Sequence, residues 1–308
     1  MIRKRTILSL ALLATTAACG GGGGGGGAAG PAPAASSTPP AQGSTASTNF
    51  NNPSVVATTD ANGNLMPTMA ADPTSQTATI AGDGSADNPA TITIKVPGIS
   101  HTFITSAGQL ELTDQTFNGS TPMFNTAGSN LAMFKDGDSG VLVTDNSGQL
   151  SFSNYGVWSH TDANNKVTVG AFATGAETSA ADLAALQNSK ATYQGSAVGT
   201  GSTGGQKFNL AGSFQGQVDF GARTASVNLN MNAINPDGGQ TAFNLASGPI
   251  SMTGSRYAGA IAGNGVSGTT AGAVYGNTAQ EMGGVFSVAG GGTTAIGAYG
   301  GAQVPATH

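Results

Sequence analysis

The chain has 308 residues, 49 of them Gly, with only 10 Lys+Arg and 15 Asp+Glu, so charged residues make up 8% against the roughly 25% of an ordinary soluble domain. So few charges leave little for the ion-pair ladders of exposed helices, and each Gly inside a helix costs about 0.5–1 kcal/mol relative to Ala, which excludes a helical bundle. A hydrophobic content of 38% with a net charge of −5 excludes wholesale disorder, and the sign of that charge excludes a basic nucleic-acid surface.

Arg3, Lys4 and Arg5 form a positive start, and Ile7 to Ala14 an apolar run too short for the ~20 residues that span a bilayer, which together read as a signal peptide over 1–18. The run ends in Thr15-Thr16-Ala17-Ala18-Cys19. Small residues before the only Cys of the chain resemble a bacterial lipobox, in which the thiol is lipidated, with palmitate among its acyl chains, and becomes the first mature residue; Thr16 stands where Leu is usual. The competing reading is a plain secretory signal with Cys19 incidental. No second Cys exists to take Cys19 into an intramolecular disulfide, and an exposed thiol would be a liability in an oxidising compartment, which favours lipidation. Gly20 follows the Cys, not the Asp that retains lipoproteins in the inner membrane, and by that resemblance the address is the outer membrane, facing outward.

Residues 19–52 read as a lipid-anchored flexible linker: Gly20 to Gly27, then Ala, Pro, Ser and Thr with no charge and no apolar period. Some thirty such residues average about 30 Å end to end. Loss of residues 1–18 removes three basic residues and leaves 7 basic against 15 acidic, a net charge of −8, so anionic lipid would not hold the mature chain by charge.

Residues 53–189 read as a β-rich domain. β-prone runs at Thr77–Ala81, Thr91–Val96, Val141–Thr144 and Lys166–Phe172 are punctuated by turn signals at Asn62-Gly63, Asp83-Gly84, Asp136-Gly137 and 162–165. Asp136-Gly-Asp138-Ser-Gly140 opens like a calcium loop but has Ser147 at its twelfth position, where an acid is required, and so reads as a turn. Ser179-Ala-Ala-Asp182 before Leu183 and Leu186 is the signature of a capped short helix. The boundary of the next domain falls near Lys190.

Residues 190–308 carry the clearest pattern. From Phe208 to Phe220 the even positions are Phe, Leu, Gly, Phe, Gly, Val and Phe, while Asn209, Ser213, Gln215 and Gln217 alternate with them; Ala225, Val227, Leu229 and Met231 then alternate with Ser226, Asn228 and Asn230. Such strands are buried on one face and wet on the other. Further runs at about 191–200, 240–247, 249–262, 269–276, 283–289 and 294–302 give eight strands, enough to close an antiparallel up-and-down barrel. The fold class is therefore all-β: a tether, a β-rich domain and an eight-stranded barrel.

Near the end stands Gly272-Ala-Val-Tyr275-Gly276-Asn-Thr-Ala279-Gln-Glu281-Met-Gly283-Gly284-Val-Phe286, then Ile296-Gly-Ala-Tyr-Gly-Gly301. This resembles the barrel signature of the transferrin-binding protein B family, Gly-x-Phe-Tyr-Gly-Pro-x-Ala-x-Glu-Met/Leu-Gly-Gly-x-Phe, with Val274 for the aromatic and Asn277 for the Pro. Ala191 to Gly195 and Val218 to Gly221 are similar to the family's first barrel strands, and Tyr155 to Trp158 to its handle region, so the resemblance spans roughly 150–305. It implies a lipid-anchored surface protein with one handle and one barrel; family members include receptors for host iron-carrying proteins, but no transferrin-contact residue can be matched here. The motif residues Gly272, Tyr275, Gly276, Ala279, Glu281, Gly283, Gly284 and Phe286 are read as structural. Asn277 is expected to cap one helical turn with Gln280, Met282 to cover the barrel end, Gly283 to supply a left-handed exit, and Glu281 to cap or to pair near Arg256.

Catalytic signatures are missing. His101 and His160 stand in loop-like contexts and His308 at the terminus, without metal-site spacing. Gly263-x-Gly265-x-x-Gly268 is followed by β-prone residues where a dinucleotide motif needs a helix. The reading is a non-enzymatic, monomeric binding protein with no metal, no cofactor and no nucleic-acid partner. Its membrane contact is the lipid, and its ligand is a host or environmental protein or a small solute. The alternatives are a structural envelope lipoprotein and a haem or small-solute carrier using the barrel interior.

Overall fold

The computed structural model describes residues 50–59, 65–67, 72–81, 91–96, 99–104, 131–136, 139–144, 150–161 and 167–305; Cys19, the poly-Gly run and His308 lie outside the described residues. The described chain forms two antiparallel sheets and one short helix. The first sheet comprises β1 (Phe50–Thr59), β2 (Leu65–Pro67), β3 (Asp72–Ala81), β4 (Thr91–Val96), β5 (Ile99–Ile104), β6 (Leu131–Asp136), β7 (Ser139–Thr144), β8 (Ser153–Thr161) and β9 (Val167–Gly175). Its order is β5-β4-β3-β1-β9-β8-β7-β6, with β2 also on β1. Strand β1 starts three residues inside the expected linker because Asn51 and Asn52 pair with Thr77 and Gln76. His101 and His160, expected in loops, lie in β5 and β8 opposite Ile94 and Thr168. Each stands between Ser and Thr in a β-prone run, and ladder pairing uses backbone groups, so a polar side chain does not end the strand.

Helix α1 (Ala180–Ala185) has the expected cap: Ser179 Oγ accepts from the Asp182 N–H at 3.1 Å. Leu183 and Leu186 lie against the interior cluster of the second sheet.

That second sheet is the barrel: β10 (Lys190–Thr203), β11 (Gln206–Asp219), β12 (Thr224–Ile234), β13 (Gln240–Ala246), β14 (Ile250–Thr253), β15 (Arg256–Gly263), β16 (Val266–Tyr275), β17 (Glu281–Gly290) and β18 (Thr293–Gln303). The single strand expected at 249–262 is instead two, because Gly254, at φ 61°, turns the chain between β14 and β15. Strands β13 and β14 follow one another along β12, from Ile234↔Gln240 to Asn228↔Ala246 and then Ala225↔Ile250, and together form one barrel position. The break contains Pro249, which has no N–H for a ladder. Ser247 spans it: its Oγ accepts from the Val227 N–H, and its own N–H donates to the Val227 carbonyl, both at 2.9 Å. Counted so, eight strands close where β18 pairs with β10 from Tyr193↔Gln303 to Thr203↔Thr293. Only Ala246↔Ala262 joins β13 to β15. Asn264 stitches the rest, its Oδ1 accepting from the Asn244 N–H at 2.9 Å and its Nδ2 donating to the Ala242 carbonyl at 2.7 Å.

Two cores result. The barrel interior is one contiguous cluster that includes Phe208, Leu210, Phe214, Val227, Leu229, Phe286 and Tyr299. The second lies between the sheets, where Val55, Tyr155, Val157, Val169 and Ala171 meet the outward side chains of Val198, Ala271, Val285, Ile296 and Ala298. Strands β11 and β12 therefore alternate buried and exposed, whereas β17 is buried from Glu281 to Val288.

Glycines make room for the rings of the interior. In register across neighbouring strands stand Phe208↔Gly201, Tyr257↔Gly272, Tyr299↔Gly284 and Phe286↔Gly297. A Cβ on Gly284 would lie 2.6 Å from Tyr299 Oη and 2.5 Å from the Ala271 carbonyl oxygen, and one on Gly297 would lie 2.6 Å from the Phe286 ring. Between the sheets, Gly300 lies under Tyr155 in the same way. Each buried ring contributes about 1.5–3 kcal/mol, conditional on the glycine opposite. Gly284→Ala is accordingly expected to lower stability by about 1–3 kcal/mol. Gly248→Ala, at an exposed position with open space around it, is expected to be neutral or to gain up to about 1 kcal/mol. Thermal unfolding of the two variants beside the wild type checks both.

Candidate binding surface

The motif residues of 272–286 meet at one end of the barrel, against the first sheet. Tyr275 and Glu281 are register partners, so the chain reverses wholly within 276–280. The left-handed positions are Gly276 (φ 84°) and Ala279 (φ 53°); Gly283, expected to be the left-handed exit, is instead an extended residue of β17 opposite Ala273 and Gly300. Nor does a helical turn form. Asn277 Oδ1 accepts from Gln280 Nε2 at 2.7 Å, and Gln280 Oε1 accepts from the Thr278 N–H at 2.9 Å, bracing a tight turn. Tyr193 Oη donates to the Ala279 carbonyl at 2.7 Å and ties that turn to β10. Met282 is fully buried in the interior cluster beside Gly216.

Glu281, buried at the start of β17, reaches into the first sheet. Its carboxylate accepts from the N–H of Ser151 at 2.5 Å, from the N–H of Phe152 at 3.1 Å and from Ser153 Oγ at 2.7 Å. Arg256, expected beside it, pairs instead with Glu177, donating from Nε at 2.9 Å and Nη2 at 2.6 Å, while Ser255 Oγ donates to the same carboxylate at 2.5 Å. Glu177 is brought there by its bridge to Tyr275, leaving the inner acid to backbone donors. Burial pushes the Glu281 carboxyl above its ordinary value, against the pull of its hydrogen bonds to Ser153, Ser151 and Phe152. Glu281 thus clamps the barrel to the start of β8, and Glu177 holds the segment after β9 to the barrel. No sequence signal pointed to Glu177, or to 151–153 as partners of Glu281.

The barrel interior holds a second polar feature. Tyr257 Oη lies 3.1 Å from Tyr299 Oη, which lies 2.6 Å from Thr270 Oγ1; that hydroxyl donates to the Val285 carbonyl at 2.8 Å. Burial pushes Tyr299 up to about 12, and Tyr257 is likewise raised, so both are neutral hydrogen-bonding groups at ordinary pH. They are packed among Phe214, whose ring centroid is 4.9 Å from that of Tyr299, and the rest of the cluster. Among the described residues no group of three or more His, Cys, Asp or Glu could hold a metal ion.

The interior is filled, and the outside of the barrel is covered on one flank only. The first sheet covers β16, β17, β18 and part of β10, and the opposite wall, β11 to β14, is open. The seven charged residues of 190–303 are confined to strand ends and turns, away from the middle of this wall. Lys190, Arg256 and Glu281 begin strands, Lys207 and Asp219 lie near the ends of β11, and Arg223 and Asp237 occupy turns. Lys190 and Asp219 pair at 2.8 Å.

No family model matches the chain, and no curated protein matches it. Solved structures are similar to it at 10–15% identity. They include HpuA from Kingella denitrificans in complex with human haemoglobin, with a TM-score of 0.46 and 13% identity over 85% of this chain and 90% of that one. Isotype 1 transferrin-binding protein B from serogroup B Neisseria meningitidis has a TM-score of 0.42 and 15% identity over 82% of this chain and 58% of that one, so here the chain spans less than two thirds of its neighbour's length. The N-lobe domain of lactoferrin-binding protein B from Moraxella bovis has a TM-score of 0.34 and 10% identity over 58% and 80%.

Replacing Glu281 by Gln puts an NH2 group where N–H donors converge, and the variant is expected to lose about 1–3 kcal/mol, read as a fall in Tm of a few degrees. The pH dependence has a defined sign. A carboxyl raised above its ordinary value binds its proton more tightly in the folded chain, so its contribution to stability is complete below that value and declines as pH rises through the raised one. The advantage of wild type over E281Q is therefore expected to be largest below the ordinary carboxyl value of 4.5 and to shrink as pH rises above it.

Proposed function

We propose that this protein is a non-enzymatic binding lipoprotein of the outer membrane, anchored through Cys19, exposed at the cell surface and monomeric, which meets its ligand on the outside of the barrel. The observation that carries this reading is the contrast between a filled interior and an open wall. Phe208, Phe214, Val227 and Leu229, the side chains that would have to be absent from a haem or solute cavity, are all buried in one cluster with Tyr257 and Tyr299. The buried ionisable groups act as clamps and packing: Glu281 and Glu177 hold backbone and Arg256, and the tyrosines hold carbonyls and hydroxyls. Closure of the barrel supports a monomer by removing the strand edges of the second sheet, while β5 and β6 remain the ends of the first. The address rests on the positive start, the apolar run, the small residues before Cys19 and the Gly tether.

The test is made on cells. Metabolic labelling with palmitate should mark the wild type and not Cys19→Ala, and the variant should leave the membrane fraction. Protease added to intact cells should degrade the wild type. Retention of the unlabelled variant in the membrane would overturn the anchor, and resistance of the wild type to both protease and antibody would place the protein on the periplasmic side as an envelope component.

A further inference from the structure

The open wall of the barrel carries a pattern that the binding reading does not use. Its outward side chains stand in rows that cross the strands. One row runs Gln194↔Gln215↔Asn228, and the next runs Ser213↔Asn230↔Asn244. All six are exposed, and their side chains make no hydrogen bond among the described residues. Neighbours within a row are one strand apart, about 4.7–4.9 Å, and rows are two residues apart along the strands. Both rows lack charge, as the distribution of the barrel's seven charged residues requires.

The chemistry of such a face selects its partner by elimination. Nucleic acid requires Lys and Arg to displace counterions, and an anionic membrane surface requires the same. Protein interfaces draw their energy from Tyr, Trp, Phe, Met and Arg and are depleted in Ser and Ala. None of those anchors stands on this wall, and the one exposed large hydrophobic side chain among the described residues, Met66, belongs to β2 of the other sheet. A metal ion would need carboxylate, imidazole or thiolate donors. Each primary amide does offer two donors and an acceptor, and each hydroxyl a donor and two acceptor sites. Covering these groups carries no ionic desolvation, and their hydrogen bonds can be replaced one for one by a ligand rich in hydroxyls.

We propose that the wall formed by β11, β12 and β13 is the docking surface for an uncharged polysaccharide, laid along the amide rows. This rests on the reading of the protein as a binding lipoprotein and names the chemical class of its ligand. Single amide-to-hydroxyl contacts are weak, so affinity comes from the polymer, whose repeating units engage successive side chains of a row and make each further contact intramolecular. Because no ion pair takes part, binding is independent of salt over a range in which surface charge pairs are screened.

The experiment is affinity electrophoresis of the full-length chain, purified in mild detergent, in native gels cast with dextran, galactomannan or laminarin, and with alginate as the charged counterpart. Retardation is expected in at least one neutral gel, equal at about 0.05 M and about 0.5 M NaCl. The dissociation constant should rise at least tenfold for the triple variant Gln215→Ala, Asn228→Ala, Asn230→Ala. These are exposed positions, so Tm should stay near the wild-type value. The single variant Asn230→Asp, which adds a charge with almost no change of shape, should weaken binding in the same direction. The proposal is overturned if no neutral polysaccharide retards the chain, if only alginate does, or if the folded triple variant is retarded like wild type. It is also overturned if sedimentation shows a dimer that the triple variant dissolves, since the occupant of the wall is then a second copy. Cell-surface exposure is measured independently, so failure here leaves the anchor and address standing.

Discussion

A barrel of eight strands has room inside for one large ring between neighbouring strands and not for two, and this limit organises the protein. Tyr299 lies over Gly284 and Phe286 over Gly297 on the same pair of strands, each ring using the space that its partner's missing Cβ leaves. Tyr257 over Gly272 and Phe208 over Gly201 extend the arrangement to neighbouring strands. The packing of rings against glycines gives β-strands the side-chain contact they otherwise lack where Gly interrupts them. It also fills the cavity that related architectures can use for a small ligand, so the same constraint that stabilises the barrel moves any binding to its surface.

The outside of the same strands obeys the complementary rule. Aliphatic side chains on β16, β17, β18 and β10, from Ala271 and Ala298 to Val198, Val285 and Ile296, pack under the first sheet, and Tyr155 lies over Gly300 there much as the inner rings lie over theirs. The sheets are also tied by direction-specific contacts. Glu281 takes three donors from 151–153, Ser202 Oγ accepts from the Leu65 N–H at 2.7 Å, and Tyr155 Oη bonds Ser196 Oγ. An acid in such a place costs desolvation, which its raised pKa records, and the hydrogen bonds offset it. One flank of the barrel is therefore committed to structure, and the other is left to meet solvent or ligand.

What could be read in the residues follows from this asymmetry. Strands β11 and β12 were legible because one face is wet, so Phe214 and Leu229 alternate with Gln215 and Asn230. Strands β16 to β18 were legible as strands but not as covered on both faces: their outward Ala271 and Ala298 carry no period that distinguishes a neighbour from solvent. The partners of Glu281 were illegible because two of them are backbone N–H groups, and any residue type supplies those. Arg256 was the visible cation, and Glu177 claimed it through a bridge to Tyr275 that spacing does not announce. The break after β13 is legible in Ser247-Gly248-Pro249, between the runs at 240–247 and 249–262, whereas β-prone residues on either side concealed the turn after β14 at Gly254.

The central claim is that barrel and first sheet form one solid, clamped body whose remaining open face is the uncharged wall. Hydrogen exchange on the intact chain addresses it most directly, because amides of a single cooperative unit exchange only through its global opening. The account predicts that the amides of β8 and β9 exchange with the same free energy as those of β16, β17 and β18, and that haem added in excess changes neither. Exchange of β8 and β9 through a much smaller opening free energy, or haem-dependent protection inside the barrel, would contradict it.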